Sequence, residues 1–227
     1  MLIKIPYSSL SCIYIHPILS AFDIIKYKDK IIKVLQLDYR LKIRFNNIII
    51  PIKFLDSIIF INPLSFQQNN MIIAKDLRYY VFNLISSDSH YNNILCIGGE
   101  SYIYALLSQF TNIFHLTNSK SIFDDCTFNS SFYKSKTIFN NLVDYNTIKK
   151  IKFTPDITII NLSNLNHNLM IKINTLTTKK IIIINCHHND FWKKIKLLTN
   201  YKLISRKFFI SYSLHYFITV NILIRKS

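Results

Sequence analysis

Gly98 and Gly99 are the only glycines in 227 residues, and they are adjacent. A chain this poor in glycine has few places where its backbone can turn sharply or pass close to another segment. The pair follows Ile94-Leu95-Cys96-Ile97, an apolar run that reads as a short buried strand. It precedes residues 102–110, where Ile103, Leu106, Leu107 and Phe110 share one helical face. In a doubly wound sheet, the turn between a strand and a helix is where the backbone approaches a ligand and the helix start offers N–H groups. A ligand-binding turn is the expectation here, and an ordinary strand-to-helix connection is the alternative.

From Asn92 onward the strand, turn, helix rhythm repeats. Residues 112–116, 157–160 and 180–184 read as strands, and residues 165–176 and 190–198 as helices. Such alternation predicts a mainly parallel sheet covered by helices on both faces, a Rossmann-like α/β fold. Residues 201–209 and 216–224 read as a closing antiparallel strand pair. Residues 208–224 carry no formal charge, but Ser211, Ser213, His215, Thr219 and Asn221 suit two strands better than a bilayer span, so no stable membrane insertion is expected. Upstream, residues 1–37 carry a mixed Lys and apolar pattern compatible with helix, residues 41–45 alternate as a strand, and residues 48–52 and 57–61 are short β-branched runs. Residues 72–85 return to helical spacing through Leu77, Val81, Leu84 and Ile85. The whole chain, 1–227, is expected to form one domain, with a helical and β N-terminal region over 1–90 and a Rossmann-like core over 91–227.

The 28 Lys and Arg against 12 Asp and Glu give a formal charge of +16, which raises RNA, a ribosome or another polyanion as a partner. Two facts compete with that reading. The abundant Asn, Ile, Lys, Tyr and Phe are the residues of A/T-rich codons, as in a reduced endosymbiont or an organelle, and the cations are dispersed along the chain. Cys12, Cys96, Cys126 and Cys186 form no C-x-x-C pair, which argues against a zinc ribbon or disulfide framework. Lys4 and Pro6 interrupt the one segment resembling a signal peptide, so a bacterial cytoplasm or organelle matrix is expected. Cys186-His187-His188 reads as a polar strand end rather than a metal site, and Trp192 as a core anchor rather than a stacking platform.

Residues 94–107, Ile-Leu-Cys-Ile-Gly-Gly-Glu-Ser-Tyr-Ile-Tyr-Ala-Leu-Leu, resemble the first motif of the protein-L-isoaspartate O-methyltransferases, L-E/D-I-G-x-G-S/T-G-Y-x-x-A-x-L. Asp156-Ile157-Thr158-Ile159-Ile160-Asn161 resembles that family's later D-x-I-x-V strand, and Ser205-Arg206-Lys207-Phe208-Phe209 its S-R-x-x-F segment. Residues 63–72 stand where the family has its substrate-side loop. The resemblance implies a class I fold that binds S-adenosylmethionine through Gly98, Gly99, Ser101 and Tyr102, with Thr117 near the ribose. It implies catalytic positions at Asn161, on the reacting edge, and Asn70, in the substrate-side loop. The implied reaction is methylation of an isoaspartyl carboxylate in a damaged protein or peptide. This sequence departs from the family where Cys96 replaces the acidic residue, Glu100 and Ser101 replace the second glycine region, and Thr117 stands in place of a ribose-binding carboxylate. The alternative is a methyltransferase-like fold without catalysis that binds RNA or the ribosome through its basic surface.

Overall fold

Isoleucine-rich runs without charge can only be satisfied where both faces of a strand are covered, and the sheet built from them is covered on both sides. The computed structural model describes residues 2–4, 12–14, 50–55, 57–62, 65, 71–87, 91–107, 112–117, 119–133, 137–140, 153–162, 165, 167–186, 188–210 and 217–226. Two antiparallel hairpins come first: β1 (Leu2–Lys4) with β2 (Cys12–Tyr14), and β3 (Ile50–Phe54) with β4 (Ser57–Ile61). Helix α1 (Met71–Ser86) leads to β5 (Asn93–Gly98), a 3-10 helix (Ser101–Leu107), β6 (Asn112–Leu116), α2 (Lys120–Phe132) and β7 (Thr137–Asn140). Then follow β8 (Ile157–Asn161), α3 (His167–Thr175), β9 (Lys180–Asn185), α4 (His188–Ile195), β10 (Tyr201–Ile210) and β11 (Phe217–Arg225).

The main sheet has the order β10-β11-β9-β8-β5-β6-β7. Strands β9, β8, β5, β6 and β7 are parallel, and β11 lies antiparallel to both β9 and β10. The expected mainly parallel sheet with an antiparallel C-terminal pair is what the chain forms. Alternate side chains serve opposite faces. Ile94, Cys96, Ile157, Ile159, Ile182 and Ile184 pack with Leu77, Val81 and Ile85 of α1. On the other face Leu95, Ile97, Ile160, Ile181 and Ile183 pack with Leu169, Met170 and Ile173 of α3 and Phe191 of α4. A third cluster joins Phe54, Ile59 and Ile61 of the second hairpin to Tyr102, Ile103, Ile122 and Cys126. At the opposite end of the sheet from the glycine turn, Asp156 accepts the Asn92 and Asn93 amides at 2.9 and 3.1 Å and pairs with Lys179 at 2.9 Å, fixing where β5 and β8 begin.

Several expectations are corrected. Within residues 1–37, the described segments pair as strands rather than coiling, because short Ile and Lys runs fit a period of 2 as well as 3.6. The segment after the glycines is a seven-residue 3-10 helix, with the Ile103 amide donating to the Glu100 carbonyl at 3.2 Å, rather than an α-helix. The strand read at residues 41–45 lies outside the described residues.

Candidate functional site

The connections from β5 run through β6 to β7 on one side, while β8, β9 and their successors lie on the other, so the strand order reverses between β5 and β8. A crevice at the carboxyl ends of the strands on either side of such a reversal is where open α/β sheets take ligands. Gly98 and Asn161 are register partners at that point. The Gly99 amide donates to the Asn161 carbonyl at 2.7 Å.

Gly98 has φ of +100°, and a Cβ built on it would lie 2.2 Å from the Asn161 carbonyl oxygen and 2.6 Å from a Leu162 methyl. The sequence suggests that this glycine exists to admit a ligand. The structure gives a nearer cause: the backbone of β8 occupies the space that a side chain would need. Glu100 also has positive φ, 58°, so a left-handed residue lies on each side of Gly99 although only the first is glycine. The Glu100 side chain does not extend over the turn. It is buried and ion-paired with Arg78 of α1. Arg78 falls on the apolar stripe of Ala74, Val81 and Ile85, and a cation on such a stripe is the one sequence signal that could have revealed the pair.

The remaining residues expected at the site divide into two groups. Ser101 is buried, its hydroxyl donating to the Gly98 carbonyl at 3.4 Å and lying 3.2 Å from the Cys126 sulfur, so it braces the turn from behind. Thr117 follows β6 on the same sheet edge, and its hydroxyl oxygen accepts the Ser119 amide at 3.2 Å, leaving its own proton available. The Tyr102 side chain, by contrast, is fully buried in the hairpin cluster, so any ligand contact there is left to its backbone. Asn70 lies outside the described residues. Cys96, where the family motif carries a carboxylate, is buried beneath the turn, and burial together with nearby Cys126 pushes its thiol well above the ordinary range. It is therefore an uncharged core residue. Among the described residues, no three His, Cys, Asp or Glu side chains come together as a metal site.

Arg78→Met leaves the Glu100 carboxylate buried without its guanidinium, and the expected loss is about 3 kcal/mol of stability. Urea denaturation measures it, and a loss under about 1 kcal/mol would show that the pair contributes little to the fold.

This Rossmann-like arrangement is the fold of solved class I S-adenosylmethionine-dependent methyltransferases. The chain superimposes on the Pyrococcus abyssi tRNA (uracil-54, C5)-methyltransferase, solved with S-adenosyl-L-homocysteine, with a TM-score of 0.62 and 17% identity over 78% of this chain and 44% of that one. It therefore spans less than half the length of that neighbour. M. jannaschii TYW2, solved with AdoMet, gives a TM-score of 0.58 and 12% identity over 86% of this chain and 90% of that one. The N-methyltransferase NodS of Bradyrhizobium japonicum WM9, solved with S-adenosyl-L-homocysteine, gives 0.56 and 9% over 68% and 88%. No family model and no curated protein matches the sequence. Among the described residues, no helix is long and apolar enough to cross a membrane.

Proposed function

We propose that the chain is an S-adenosylmethionine-dependent methyltransferase whose cofactor sits in the crevice at the carboxyl ends of β5, β6 and β8. The observation that carries this reading is the left-handed turn Gly98-Gly99-Glu100 at the point where the strand order reverses. The turn suits the cofactor through its backbone: Gly98 and Gly99 present no side chain, and Glu100 is drawn away by Arg78. The bound cofactor supplies an electrophilic methyl group on a sulfonium. The work of this chain is alignment and exclusion of water. Ser101 holds the turn, Thr117 can donate one hydrogen bond toward the ribose, and Asn161 lies at the reacting edge.

The acceptor we assign, on the motif resemblance, is the carboxylate of an isoaspartyl residue, which is already nucleophilic and needs no base. RNA is the second reading, favoured by the charge of +16 and by the tRNA methyltransferase among the neighbours.

Calorimetric titration with S-adenosylhomocysteine tests the cofactor site, and micromolar binding is expected. Gly99→Val is the appropriate site variant, because Gly99 lacks the positive φ of Gly98 and accepts a side chain without backbone strain. It should weaken binding while the protein stays folded. Methyl transfer from labelled cofactor to an isoaspartyl peptide, with a tRNA transcript in parallel, then decides the acceptor. No binding at millimolar ligand by folded protein would overturn the proposal and leave a cofactor-free fold that binds RNA or the ribosome.

A further inference from the structure

The sequence places Trp192 in the core, and the structure corrects this: Trp192 is 44% exposed on α4. Beside it, on the edge strand β10, Phe208 is 47% and Ile210 is 62% exposed. Arg206 lies between the rings, its guanidinium carbon 4.8 Å from the Trp192 centroid, 4.9 Å from that of Phe208 and 5.1 Å from that of buried Phe191. A guanidinium over aromatic faces is attracted by their quadrupoles and fixes their orientation. Trp192 and Phe208 are thus held open as a pair, with Phe191 anchoring the cluster to the core.

Among the described residues Arg206 has no hydrogen-bond or ion-pair partner, and its Nε and one terminal nitrogen are shielded from solvent without an acceptor there. An arginine retained to support the fold is ordinarily given a carboxylate or carbonyl. Among the described residues none bonds it, and the surrounding chain has few carboxylates to offer. From Phe191 to the C terminus the sequence contains eight Lys and Arg and no Asp or Glu, and Asp190 is the one acid of α4. Although the cations of the whole chain are dispersed, its last 37 residues are uniformly basic. Lys193, on the same short helix as Trp192, and Lys196, in the turn that follows it, are exposed.

We propose that Trp192, Arg206 and Phe208 form a binding surface for single-stranded RNA, with bases stacking on the two open rings and phosphates meeting Arg206 and the lysines of α4. Paired aromatic faces inside a basic field are what unpaired nucleotides require: every base has a stackable face, and a duplex hides it. A second copy of this chain would also cover exposed apolar groups on an edge strand, but two surfaces of the same high positive charge repel, whereas a polyanion is attracted. The surface lies on the β10 edge, separated from the glycine turn by β11, β9 and β8, so its occupancy does not depend on the methyltransferase reading.

Trp192 is the only tryptophan in the chain, so its fluorescence reports on this surface alone. Titration with a short single-stranded oligouridylate, without cofactor, should quench that fluorescence saturably, with affinity falling as salt rises. Arg206→Met should raise the Kd at least ~tenfold, and Arg206→Lys, which keeps the charge but not the planar group, should raise it less. Phe208→Ala, at an exposed position, provides the same test if Arg206→Met does not fold. The proposal is overturned by absence of quenching, by equal quenching with dextran sulfate, or by a folded Arg206→Met or Phe208→Ala protein that binds as the parent does. A protein whose mass by light scattering doubles with Trp192 shielded would also overturn it, in favour of a dimer.

Discussion

Gly98→Ala is expected to destabilise the fold by about 4 kcal/mol, the combined effect of a backbone conformation that L-residues avoid and a steric overlap with packed backbone. At φ of +100° the new Cβ would lie 2.2 Å from the Asn161 oxygen and 2.9 Å from the Asn161 carbonyl carbon. Neither atom can yield by rotating a side chain. Relief would require β5 and β8 to separate at their carboxyl ends, which would stretch the hydrogen bond from the Gly99 amide to the same oxygen. For a chain of this length the midpoint of thermal unfolding should fall by roughly 8–16 °C. Gly99→Ala, one residue along and without positive φ, is the control and should cost under about 1 kcal/mol. Equal melting of the two variants would mean that the approach of β8 does not determine the need for glycine at 98. This result also governs how the crevice is probed, since a ligand-binding defect in a Gly98 variant would confuse a damaged site with a damaged sheet.

The strands on both sides of that turn are legible in the sequence because burial on both faces writes an uninterrupted apolar run, and β5, β8 and β9 are such runs. Helix α2 is not legible for the converse reason: much of its inward face is polar. Asn129 bonds both the Phe60 amide, at 2.8 Å, and the Phe60 carbonyl, at 2.6 Å. Asp125 accepts the Asn62 amide at 2.7 Å and the Ser65 hydroxyl, so α2 holds the second hairpin by hydrogen bonds where a periodicity argument looks for leucines. The site shows the same division. Gly98 and Gly99 lie beside Asn161 because strand register brings β5 and β8 together. The reach of Arg78 from α1 to Glu100 depends on how a helix crosses the sheet, which no local pattern encodes. Trp192 is misread because its neighbour Phe191 takes the core position and leaves the indole outside.

Acid should weaken this protein through His115 in particular. The residue lies on β6 at 1% exposure, two positions before Thr117, and is the register partner of Cys96 on β5. Burial penalises the imidazolium and pushes the His115 pKa down from 6.5 to about 3. Above pH 6.5 the imidazole is neutral in both the folded and unfolded chain, and its titration contributes nothing to the balance. Between 6.5 and about 3 the unfolded chain binds a proton that the folded one does not, so stability falls with falling pH. The slope approaches 1.4 kcal/mol per pH unit, and the loss reaches about 5 kcal/mol near pH 3. His115→Leu removes the titrating group while keeping an apolar side chain of similar bulk, so the difference in unfolding free energy between parent and variant isolates this one proton. That difference should be flat above pH 7 and should shift steadily in favour of the variant below pH 6. If it stays constant from pH 8 to 4, His115 is protonated without opening the sheet and acid sensitivity must come from elsewhere. Because His115 and Cys96 lie directly beneath the crevice, the same experiment sets the lower pH at which cofactor titrations report on the native site.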